Sequence, residues 1–151
     1  MYMHIWVVAD ACPNPIKEIL FRAAKRCEIP LTLVANHQLN IPPSSLIKFQ
    51  RVESGFDVAD NYIAQRVSPG DIVVTQDIPL AAEVIEKDTE VISPRGVHFT
   101  KANIRQRLAM RNLMEELRNI GEVRGGPPTL SNTDRQQFAN VLDRLLAKKS
   151  E

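Results

Sequence analysis

Residues 4–20 read HIWVVADACPNPIKEIL. The first half, HIWVVA, is a nearly continuous apolar run, the pattern of a strand covered on both faces. Asp10 to Asn14 make a turn. Pro15 suits the first turn of a helix, where a missing N–H costs nothing. Ile16, Ile19, Leu20, Ala23 and Ala24 then recur at helical spacing. A buried strand, a turn and an amphipathic helix in this order form the opening unit of an α/β domain.

The alternation continues outward from that unit. LTLVA (31–35) reads as a second strand, and the loop 36–45 carries Pro42 and Pro43. IKFQRV (47–52) alternates and reads as a third. Gly55 precedes a helix from about Asp57. IVVTQ (72–76) is the clearest buried strand, followed by a helix with Pro79 near its start. TEVIS (89–93) is a short strand before the loop 93–96. Thr100 is positioned to cap a long helix ending at Gly121, and Asn132 to cap a last one. Strand–helix alternation over 4–93 predicts a mainly parallel, Rossmann-like sheet flanked by helices. The expected organisation is a single α/β domain over residues 1–151, with about 100–151 a helical C-terminal extension.

The 151 residues are enough for a substantial core without staples. No apolar run approaches the roughly 18 residues of a membrane span, and the N-terminus lacks the pattern of a signal peptide. Cys12 and Cys27 form no metal-spacing pattern, so a cytoplasmic location is expected. Net charge is +1 but unevenly spread. Residues 1–94 carry 8 Lys and Arg against 12 Asp and Glu, and residues 95–151 carry 11 against 6. An acidic body with a basic C-terminal segment suits a phosphate-rich partner, although such charges also simply solvate helices.

Asp10, Asp57 and Asp77 stand where one element gives way to the next. Sites in open α/β sheets form at the carboxyl ends of strands, so Asp10 and Asp77 converge if their strands are neighbours. Asp57 and Asp60, three apart, share one face of a helix start. Oxygen ligands of this kind suit Mg²⁺ or Mn²⁺. Taken singly, each of these acids also has a helix-capping role open to it. Asn36 and His37 directly follow the second strand and are candidates for the same edge. Arg95, Lys101 and Arg111 are candidates for phosphate contact, and Arg107 shares a helix face with Arg111. Cys12 lies near a helix N-terminus, where a thiol can acidify, but it reads better as a small buried thiol. Gly125-Gly126-Pro127 is a turn without the Gly-Lys-Ser/Thr of a phosphate-binding loop. Aromatic residues are 5% of the chain and do not interleave with the basic positions, which argues against single-strand binding by base stacking.

The blocks IWVVADACPNPIKEIL, LVANH, SGFDVADNYI, GDIVVTQDIPLA, Pro94-Arg95-Gly96, the helix around Arg111 and Gly125-Gly126-Pro127 resemble the YaiI/YqxD family of uncharacterised bacterial proteins over nearly the whole chain. More distantly, GFDVAD (55–60) is similar to the G-x-D-x-x-x-D stretch of NYN-type nuclease-like domains, with its second acid one residue early. VTQDIPLA (74–81) is similar to the S/T-x-D segment of the same PIN and NYN group. That likeness implies an acidic cluster of Asp10, Asp57, Asp60 and Asp77 holding Mg²⁺ or Mn²⁺. It also implies phosphodiester hydrolysis on RNA, with DNA second. The YaiI/YqxD pattern reads WVDADACP, whereas this chain reads WVVADACP, so Val8 stands where the resemblance places a carboxylate. A degenerate, non-catalytic nucleic-acid-binding module therefore remains an alternative. A small-molecule phosphohydrolase is a third, against which the absence of Asp-x-Asp-x-Thr weighs.

Overall fold

A computed structural model describes residues 3–55, 57–121 and 129–148. Six strands form one sheet: β1 (Ile5–Val8), β2 (Leu31–Ala35), β3 (Ile47–Arg51), β4 (Ile72–Val74), β5 (Glu90–Ile92) and β6 (His98–Phe99). Their spatial order is β3-β2-β1-β4-β5-β6, with β1 to β5 parallel and β6 antiparallel to β5. This is the Rossmann strand order, and its direction reverses between β1 and β4. Among the described residues, five helices cover the sheet: α1 (Asn14–Cys27), α2 (Val58–Arg66), α3 (Ile78–Ile85), α4 (Ile104–Asn119) and α5 (Asn132–Ala147).

Strand composition follows position. β1, β2 and β4 are central and almost wholly buried, hence their unbroken apolar runs. β3 lies at an edge, and its exposed Lys48 and Arg51 discourage pairing with another chain. The two faces separate cleanly by parity. Ile5, Val7, Leu31, Leu33, Ile72 and Val74 pack under α1 and α5. Trp6, Val34, Val73 and Val91 pack under α2 and α3.

The C-terminal helices are not one extension. α5 buries Phe138, Val141, Leu142, Leu145 and Leu146 in the same cluster as β1 and α1. α4 buries only Ile104, on the opposite face, where it meets α3. Both expected caps shift. α4 begins at Ile104, and Thr100 instead forms a reciprocal turn with Asn103, each side chain accepting from the other's backbone N–H. Ser131, not Asn132, caps α5 in a capping box with Asp134. β6 is the element that sequence pattern misses, because two residues carry no periodicity. It is brought back beside β5 by the turn 93–96, closed by Gly96 at φ +86° and by Ser93 N–H donating to the Val97 carbonyl. Gly125-Gly126-Pro127 lies outside the described residues. No helix among them is long and apolar enough to cross a membrane.

Candidate functional site

The carboxyl ends of β1 and β4 flank the point where strand order reverses. Beyond β4 the chain runs Thr75-Gln76-Asp77 and enters α3. Asp77 is its N-cap: one carboxylate oxygen accepts from Leu80 N–H at 2.8 Å, and the Asp77 N–H donates to the buried Thr75 hydroxyl at 3.0 Å. Across from it, Asp57 begins α2 in the left-handed region, at φ +62°, and makes no side-chain cap. Asp tolerates that conformation better than most residues, but it still stores strain. Asp60 follows in the first turn of α2.

One carboxylate oxygen from each of Asp57, Asp60 and Asp77 lies within 4.8 Å of the others, with Asp60 and Asp77 half-buried. Two full charges at that separation repel by roughly 3 kcal/mol at an effective dielectric near 20. The Asp60 carboxyl is accordingly pushed up to about 7, first by burial, then by Asp77, then by Asp57. Both α2 and α3 present their N-termini here, which offsets part of the repulsion. An all-oxygen set from two helix starts is the donor chemistry of a hard divalent cation, and the three residues fit one.

Asp10 is not a member of this group. Its strand ends at Val8, and a short 3₁₀ turn (Ala9–Ala11) carries it toward β2. There its two oxygens accept from Asn36 N–H at 3.0 and 3.3 Å, and one of them meets His37 Nδ1 at 2.7 Å. Asp10 and Asn36 still form a wall of the cleft that leads to Asp57 and Asp60, a space of about 140 Å³. Glu53, at the end of the β3 segment, is a further carboxylate on that wall. Its only sequence signal is another acid after a strand. Val8 instead sits on the face of β1 under α2 and α3, packed on the cluster that holds Ile63 and Leu80. Position 8 thus lies on the face of β1 under α2 and α3, while Asp10 reaches the same cleft from the turn beyond the strand.

The basic candidates do not converge on the acids. Arg95 pairs with Asp134 at 2.8 Å, joining the β5–β6 turn to the start of α5. Arg111 pairs with Glu115 one helical turn away, at 3.1 Å. Lys101 pairs with Asp88 at 3.4 Å. Because β6 runs antiparallel, Lys101 falls at the opposite edge of the sheet from Asp77. Cys12 is buried, and that burial pushes its thiol up to about 12 despite Lys17, so it is not an activated nucleophile.

A model of an uncharacterised bacterial family, YaiI/YqxD, matches residues 6–148. The chain belongs to this YaiI/YqxD family. Among its relatives, the UPF0178 protein of Hahella chejuensis is 59% identical, covering 99% of each chain. That of Marinobacter nauticus is 60% identical over 98% of this chain and 99% of its own. That of Klebsiella pneumoniae is 58% identical over 99% of each. No solved structure matches the chain. The YaiI/YqxD match takes in β2 to β6, all of β1 but Ile5, and every acid of the cleft.

Proposed function

We propose that this protein is a metal-dependent phosphodiesterase acting on RNA, with DNA the second choice, and that Asp57, Asp60 and Asp77 hold its Mg²⁺ or Mn²⁺. The observation that carries this reading is the convergence of three carboxylates within 4.8 Å at the carboxyl edge of a Rossmann-like sheet. Such a cluster is electrostatically unfavourable without a cation. The likeness of GFDVAD and VTQDIPLA to the NYN segments points to the same acids. A bound divalent ion supplies a polarised water and neutralises charge growing on the scissile phosphate. Asp77 is held for ligation by its contacts to Leu80 and Thr75. Asp60 must release its proton before it can ligate. Asp10, which lines the cleft, fixes the ring of His37 beside it, and the exposed imidazole can meet substrate there.

A second reading, a nucleic-acid-binding module with a degenerate site, is favoured by Val8. Titration with Mn²⁺ by calorimetry separates the two. The phosphodiesterase reading expects one saturable site, lost in Asp77→Asn, and Mn²⁺-dependent cleavage of labelled RNA that disappears with the same substitution. Absence of divalent binding at millimolar metal sinks it. Metal-independent RNA binding without cleavage supports the second reading.

A further inference from the structure

Three cations chosen from the sequence, Arg95, Lys101 and Arg111, are each neutralised by a carboxylate in the fold. Two others are not. Arg107 on α4 and Arg144 in the last turn of α5 have no carboxylate partner among the described residues, and both line one open cavity of about 470 Å³ beside β6. Arg107 is held over the Phe99 ring, its guanidinium carbon 5.6 Å from the ring centre. No acidic side chain among the described residues lines the cavity. The neighbouring acids are already engaged: Asp143 with Arg26, Asp134 with Arg95, and Glu90 with His98 and Lys148.

Neutral donors complete the wall. Gln136 donates to the Asn140 amide oxygen at 3.0 Å, which leaves the Asn140 nitrogen free to donate. The Gln137 amide reaches the Gly96 carbonyl at 3.4 Å, a long contact that an anion can replace. We propose that Arg107 and Arg144, with Asn140 and Gln137, form a phosphate-binding pocket at the β6 edge. Two guanidiniums with no internal counter-ion and amide donors facing one open space are what a tetrahedral oxyanion recognises. The pocket lies two strands from β4, roughly 10 Å across the sheet. It needs no metal, so it stands or falls independently of the acidic cluster.

The phosphate belongs either to a polynucleotide backbone or to a free phosphate compound, and one set of variants distinguishes them. The full chain in EDTA is titrated with inorganic phosphate while the arginine Nε–Hε resonances are followed. The expected result is saturable shifts at Arg107 and Arg144 that vanish in Arg107→Gln/Arg144→Gln. Each guanidinium contributes roughly tenfold in affinity. In parallel, fluorescent single-stranded RNA is titrated at several salt concentrations. One polynucleotide phosphate held by both arginines predicts a salt slope lower by about 0.7 in the double variant. A free-phosphate site predicts an unchanged slope with phosphate binding still lost. Arg22→Gln/Lys25→Gln on α1 removes the same charge outside the pocket. If neither ligand shifts Arg107 and Arg144, or if this control weakens binding equally, the pocket is refuted.

Discussion

Replacing Asp60 by asparagine removes one of three crowded carboxyl groups and should make the metal-free protein more stable at alkaline pH. The Asp60 carboxyl lies at about 7 in the folded chain against an ordinary 3.8. Below 3.8 both folded and unfolded chains hold the proton, and nothing is gained or lost. Between 3.8 and about 7 the folded chain keeps a proton that the unfolded chain has released, so stability falls as pH rises through this window. Above 7 the penalty is constant. A shift of about three units corresponds to roughly 4 kcal/mol. Because Asp60 is only half-buried, solvent screening reduces this to about 1–2 kcal/mol. Urea denaturation of wild type and Asp60→Asn in EDTA at several pH values isolates the effect, since the other titrating groups largely cancel in the difference. The variant should gain about 1–2 kcal/mol on wild type between pH 4 and pH 8. Mn²⁺ at pH 8 should reverse the order, with wild type stabilised by about 2.7 kcal/mol at a hundredfold excess over Kd. A difference that stays flat with pH would refute the reasoning that the three carboxylates repel.

Val8→Asp adds a carboxylate on the face of β1 that carries the cluster, so calorimetry should show Mn²⁺ binding tightened roughly tenfold. An unchanged affinity would mean that position 8 does not reach the cation. Gly96→Ala forces a side chain into φ +86° and puts its Cβ 2.7 Å from the Phe138 backbone nitrogen. Strain alone costs about 2 kcal/mol, and the overlap adds to it, so thermal melting should show a clear loss; a melting point equal to wild type would contradict the close approach. Phe138→Ala opens a cavity in a fully buried position and should cost about 3–5 kcal/mol in chemical denaturation.

The sequence reveals the central strands because β1, β2 and β4 are buried on both faces and therefore read as unbroken apolar runs. Asp57, Asp60 and Asp77 were legible for a related reason: each starts a helix whose preceding turn is visible in Gly55 or Thr75-Gln76. Asp10 lines the same cleft as Asp57 and Asp60 but stands outside their close cluster, because the strand ends at Val8 and the 3₁₀ turn after it brings the carboxylate onto Asn36 and His37, and no residue pattern announces that turn. The arginines were illegible for a different cause. Arg95 meets a carboxylate 39 residues away, and pairing at that distance is decided by how α5 docks. The unpaired Arg107 and Arg144 emerge only once the other ion pairs have been assigned.

The docking of α5 also sets when the domain can form during synthesis. Phe138 and Leu142 share a cluster with Ile5 and Val7, at the other end of the chain. Until the last helix has left the ribosome, one face of β1 and the inner side of α1 lack their cover. Until α5 has emerged the nascent chain carries an open apolar surface, and it closes that surface with contacts of long sequence separation that form slowly. Ribosome-bound chains stalled before residue 132 would be those that recruit a chaperone.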